Sequence, residues 1–115
     1  MLLYSSSMLS KKNKVDKKTI EQIFKKGIFL NGIVLSFRFL NTSKEEKVRI
    51  SFIVPKTVSK IAVKRNSLRR RGYAVLQKYM NDFPPGIVGV FTFKKYQDDN
   101  KIIENEIKQI LSKIN

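Results

Sequence analysis

The sequence predicts a single α+β domain in the order α-β-β-α-β-α, one sheet with helices packed mainly on one of its faces. Three observations carry this. Apolar residues recur at helical spacing in three stretches, they crowd or alternate at strand spacing in three others, and a strand, a long helix and a further strand follow one another as a crossover. The 115 residues suit one domain, and 42% apolar with 10% aromatic residues can fill its core without disulfides or metal. Pattern alone predicts a right-handed crossover.

Each element has a local reason. Asp16 is a candidate N-cap, Ile20, Ile23 and Phe24 follow at helical spacing, and Gly27 stops a helix at about 17–26. Ile33 to Leu40 is rich in β-formers, Asn41 to Glu46 is turn-like, and Val48, Ile50, Phe52 and Val54 alternate with Arg49 and Ser51. That pair reads as an antiparallel hairpin ended by Pro55. From about Ala62 to Met80 the stripe Leu68, Val75, Leu76 and Tyr79 marks a long helix that Gly72 interrupts at some cost in propensity. Pro84-Pro85-Gly86 makes a loop, and Ile87 to Phe93, apolar on both faces, reads as an interior strand. Asn100 is taken as the N-cap of a last helix whose dry side is Ile103, Ile107, Ile110, Leu111 and Ile114. With the helices on one face, the other face of the sheet is left free to bind.

The chain carries 24 Lys and Arg against 9 Asp and Glu, a net charge of +15. Such a charge repels itself, and a polyanionic partner explains it most simply. It also has an address. From Lys47 through Asn81 there are ten basic residues and no acidic one, whereas from Lys94 onward five Lys face four acids, as on a solvated helix. On the long helix Arg65 and Arg69 lie one turn apart, as do Asn66 and Arg70, opposite the apolar stripe. Guanidinium forks bind phosphate bidentately, Lys56 and Lys60 add point charges in the preceding loop, and a helix N-terminus attracts anions.

The chain has no His and no Cys, which excludes Ser-His-Asp triads, thiol nucleophiles and Cys/His zinc sites. The pairs Glu45-Glu46 and Asp98-Asp99 diverge and lack partners for acid–base work, and no Gly-rich phosphate loop is present. Most aromatics belong in the core. Even so, Phe37 and Phe39 share one strand face while Arg38 takes the other, so one face can offer aromatics or Arg to unstacked bases. The opening MLLYSSSMLS lacks the basic flank and unbroken apolar run of a signal peptide, and no stretch approaches the roughly 20 apolar residues of a membrane span. A cytoplasmic protein without a membrane partner is expected.

At Val58-Ser59-Lys60-Ile61-Ala62-Val63-Lys64-Arg65-Asn66-Ser67-Leu68-Arg69-Arg70 the sequence resembles the protein subunit of bacterial ribonuclease P, whose long helix opens on an Ala-Val-x-Arg-Asn-Arg-x-Lys/Arg-Arg signature. Arg49 to Lys56 resembles that family's Arg-x-Gly-x-x-Val-Ser-Lys strand, Phe24-Lys25-Lys26-Gly27 the end of its first helix, and Pro84-Pro85-Gly86 the turn before its last strand. Ser67, Ser51, Pro55 and Ile20 depart from the pattern, and one extra residue stands between Val58 and Ala62.

The resemblance covers about residues 11–113 and implies a two-layer α+β sandwich with a left-handed βαβ crossover. It implies an accessory subunit of a ribonucleoprotein endonuclease that removes 5′ leaders from precursor tRNA. The catalytic ribonuclease P RNA, with Mg2+ bound mainly through that RNA, performs the hydrolysis, and one protein serves each RNA. Carried over, Lys64, Arg65, Asn66, Arg69 and Arg70, with Lys60 beside them, bind the catalytic RNA, while Ile20, Phe24, Phe37 and Lys56 line the cleft for the leader. Met8-Leu9-Ser10-Lys11-Lys12-Asn13 looks like the usual opening of this family, so residues 1–10 are expected to form a disordered extension, with Met8 as an alternative start. The rival readings are a ribosomal or general RNA-binding protein, a major-groove DNA binder and a stand-alone nuclease.

Overall fold

The computed structural model describes residues 14–42 and 47–114. The expected extension over 1–10, the Met8 start and the turn at Ser43–Glu46 lie outside the described residues. Helix α1 spans Lys17–Lys26 and strand β1 Ile28–Asn31, followed by β2 Leu35–Asn41 and β3 Arg49–Ile53. Helix α2 runs over Ala62–Leu76 and continues as a 3₁₀ segment over Gln77–Asp82, and β4 Ile87–Phe93 and α3 Asn100–Ile114 complete the chain.

The expected β2–β3 hairpin does not form. The sheet order is β1-β2-β4-β3, with β4 antiparallel to β2 and parallel to β3. The reason is legible in β4 itself: Ile87, Val88, Val90, Phe91 and Phe93 are all buried, so this strand needs cover on both faces and a partner on both edges. It displaces β3 from β2, and α2 becomes the crossover between β3 and β4. β2 takes its hairpin partner from the other side, the short strand β1, whose residues the sequence pattern assigns to no element.

One face of the sheet builds the main core. Phe37, Phe91 and Phe52 stand in register across β2, β4 and β3, with Phe91 4.3 Å from Phe37 and 5.1 Å from Phe52 between ring centres. Leu68, Val75 and Leu76 of α2 and Ile103, Ile107, Ile110 and Leu111 of α3 cover this row. On the opposite face Ile23 packs with Val88, Val90 and Val15, and Ile20, Leu40 and Ile53 adjoin them. The second face is therefore not free along its whole length, because α1 needs somewhere to bury its own stripe.

Local chemistry sets the boundaries. Asp16 caps α1 by accepting from the Thr19 N–H at 2.9 Å, and the hydrogen bonding of Thr19 holds its carboxyl below the usual range. The cap of α3 is Asp99 rather than Asn100: its Oδ1 accepts from Lys101 N at 2.9 Å and its carbonyl from Ile103 N at 3.2 Å. Asn100 instead accepts from Arg71 Nη1 at 3.2 Å, tying α3 to α2. Pro85 and Gly86 are the central residues of a turn closed from Ile87 N to Pro84 O at 3.4 Å, with Gly86 at φ 87°, where only glycine is comfortable.

Candidate nucleic-acid interface

Two surfaces draw together the residues singled out above. The first lies on α2. Ile61 caps this helix without a side-chain hydrogen bond, and its first turn holds no acidic residue, so the free amides and the dipole face solvent unopposed. Lys60 and Lys64 are exposed at this end. Arg65 Nη1 donates to Ser59 O at 3.0 Å, which folds the preceding loop back onto the helix. Further along, Asn66, Arg69, Arg70 and Tyr73 line an open pocket of about 240 Å³ together with Lys14. Arg69 donates to Asn66 Oδ1, and the Lys14 ammonium lies 4.7 Å from the centre of the Tyr73 ring.

Sequence reading found Asn66, Arg69 and Arg70 but missed Tyr73 and Lys14. Tyr73 was within reach, since residues 66, 69, 70 and 73 share one face at helical spacing. It was hidden because Tyr73 is also core: its ring is 5% exposed and meets Phe52 edge-on, while its hydroxyl accepts from Phe52 N at 3.0 Å. Lys14 comes from the segment before α1, and only the tertiary fold brings it to the pocket. That segment is anchored where the chain departs from the family pattern: Ser51 Oγ accepts from Val15 N at 2.8 Å.

The second surface is the sheet face beside α1. Phe24 at 44% and Phe29 at 46% are half exposed, and the Arg38 guanidinium lies 4.6 Å from the Phe29 ring centre and 5.6 Å from that of Phe24. Phe29 and Arg38 are direct partners in the β1–β2 register. Ile20 packs against the apolar cluster under α1, whereas Lys56 is exposed in a turn after β3, at the opposite edge of the sheet from β1, closed by Val58 N to Pro55 O at 3.0 Å. Phe37 does not belong here. It is 0% exposed and points into the α2/α3 core, because strand alternation sends Phe37 and Arg38 to opposite faces. The face that α1 flanks takes Arg38, and Phe29 was missed with the short strand that carries it.

Among the described residues no three His, Cys, Asp or Glu side chains come together as metal ligands. No described helix is long and apolar enough to cross a membrane.

A family model for ribonuclease P matches residues 9–115. The chain belongs to the ribonuclease P protein family. Among curated proteins it is similar to the ribonuclease P protein component of Pseudanabaena sp., 28% identical over 109 residues, which span 92% of this chain and 94% of that one. Among solved structures, the RNase P protein from Thermotoga maritima superposes with a TM-score of 0.77 at 18% identity, covering 89% of this chain and 97% of that one. The RNase P protein of Staphylococcus aureus gives 0.76 at 16% identity, over 90% and 98%. These likenesses fix the α+β fold. Membership makes the chain a protein component of ribonuclease P, the holoenzyme that processes tRNA 5′ ends, with the ribonuclease P RNA as its partner.

Proposed function

We propose that the two surfaces divide the work of the subunit. Lys60, Lys64, Arg65, Asn66, Arg69 and Arg70 hold the ribonuclease P RNA, and the face formed by Ile20, Phe24, Arg38 and Lys56 holds the single-stranded 5′ leader of precursor tRNA. The observation that carries this is the division itself. One surface gathers lysines, arginines and an amide along a helix N-terminus, suited to phosphates, while the other sets a guanidinium between two half-exposed rings, suited to an unstacked base. Hydrolysis stays with the RNA and the Mg2+ that the RNA binds, one protein serving one RNA in the cytoplasm. The protein's basic groups relieve phosphate repulsion between RNA subunit and substrate, which lowers the magnesium the RNA needs. Backbone charge and stacking carry little base information, so leader selectivity is weak.

The test is cleavage of precursor tRNA at low magnesium by the source organism's ribonuclease P RNA, with and without the protein, beside a protein-only control. Strong stimulation that depends on the RNA supports the reading. Tight RNA binding without stimulation overturns it in favour of a purely structural RNA-binding role, and cleavage by the protein alone moves the chemistry into the chain.

A further inference from the structure

Glu106 is the one buried carboxylate among the described residues, 7% exposed on α3. It reaches the turn between β1 and β2. Its Oε1 accepts from Val34 N and Leu35 N, both at 3.1 Å, and its Oε2 accepts from Ile33 N at 3.2 Å. Gly32 leaves the room this needs, since a Cβ there would collide with Oε1. From the exposed side Lys94 Nζ donates to Asn31 Oδ1 and Gly32 O, each at 2.7 Å, so the turn is gripped on both sides.

A buried carboxylate is costly unless charged hydrogen bonds satisfy it, and here three backbone donors do so. A tight turn between two strands closes without such help. What the grip adds concerns β1, a four-residue edge strand whose only sheet partner among the described residues is β2. Holding the turn at Ile33–Leu35 fixes where β1 ends and β2 begins, which sets Phe29 opposite Arg38 on the face away from α3. A one-residue slip would turn Phe29 to the other face.

We propose that Glu106 is a positioning residue for the leader surface: from the far layer it fixes the register that places Phe29 over the Arg38 guanidinium, building a ledge for an unstacked base of single-stranded RNA. The inference rests on the leader-binding reading above. Glu106 touches no RNA itself, and it acts through the turn.

The experiment measures the leader's contribution to binding by the reconstituted holoenzyme, as the ratio of affinities for precursor tRNA and for mature tRNA lacking the leader. Glu106→Gln keeps the size but turns one acceptor into an amide donor facing backbone N–H groups. The expected result is a loss of roughly three- to tenfold in that ratio, with affinity for the ribonuclease P RNA unchanged. Phe29→Ala and Arg38→Gln should lower the same ratio directly. An unchanged ratio in Glu106→Gln, alongside a loss in Phe29→Ala and Arg38→Gln, overturns the positioning role alone. Unchanged ratios in Arg38→Gln and Phe24→Ala instead overturn the leader reading. A second measurement needs no variant: titrating a single-stranded RNA leader into the labelled full chain should shift the amide resonances of Ile33, Val34 and Leu35 together with those of Phe29 and Arg38. Shifts at Phe29 and Arg38 that leave the turn unmoved count against the proposal.

Discussion

Gly72 of α2 and Phe52 of β3 meet so closely that a Cβ on the glycine would lie 2.7 Å from the ring. This explains a residue that looks misplaced in a helix interior. Helix propensity alone predicts that Gly72→Ala stabilises by about 1 kcal/mol. Overpacking against a ring already held by Phe91 and Tyr73 costs about 1–3 kcal/mol, so we expect net destabilisation of about 1 kcal/mol. Urea unfolding of the variant checks the sign, and a gain would show that the sheet yields more readily than its packing implies.

Phe24 and Phe37 should separate cleanly. Phe37→Ala empties a fully buried site and should cost about 3–5 kcal/mol. Phe24→Ala, half exposed, should cost about 1 kcal/mol or less while weakening binding of precursor tRNA and sparing mature tRNA. Thermal unfolding and substrate titration on the two variants give the comparison.

Arg65→Ala and Arg69→Ala should each weaken binding of the ribonuclease P RNA by about 1–3 kcal/mol and reduce the salt slope by about one unit. Arg71→Ala should leave that slope nearly unchanged, because its guanidinium reaches Asn100 on α3 rather than the pocket. Titrations at several salt concentrations decide it, and wild-type slopes for both Arg65→Ala and Arg69→Ala would place the RNA elsewhere.

Acid should loosen the fold through two carboxylates, Asp16 exposed and Glu104 half-buried. The hydrogen bonding of Thr19 lowers Asp16 below 3.8, and the Tyr79 hydroxyl lowers Glu104 below 4.5. A carboxylate whose folded value is depressed stabilises the protein above its unfolded value, and that contribution is lost as pH falls through the folded one. Melting temperature should therefore be flat between about pH 7 and 5 with respect to these groups and fall below about pH 4. Asp16→Asn keeps a capping acceptor without the titration and should make the fall shallower.

Much of this was legible in the sequence wherever the cause is local. Asp16, the Ile20/Ile23 stripe and Gly27 bound α1 because caps and helical spacing act within a few residues. The signature around Arg65 and Asn66 was readable for the same reason. Strand pairing is not local: β2 and β3 each alternate convincingly, and nothing in either says that β4 will come between them. The misplacement of Phe37 has the same root, since alternation tells that Phe37 and Arg38 face apart but not which face α1 will flank. Glu106 was unreadable because its three donors lie more than seventy residues away. Tyr73 shows the opposite case, where helical spacing held the answer but the residue's core role masked it.

The position of β4 at the centre of the sheet has a consequence during synthesis. Among the described residues β3 has no strand partner until residues 87–93 leave the ribosome, and β2 until then has only the four residues of β1. The row of Phe37, Phe91 and Phe52 closes at the same moment. A nascent chain that already displays Arg65, Asn66, Arg69 and Arg70 thus has no sheet to hold α2 in place, and non-local closure of this kind is slow. The emerging polypeptide is a loose polycation first and a shaped partner for RNA only once its middle strand arrives.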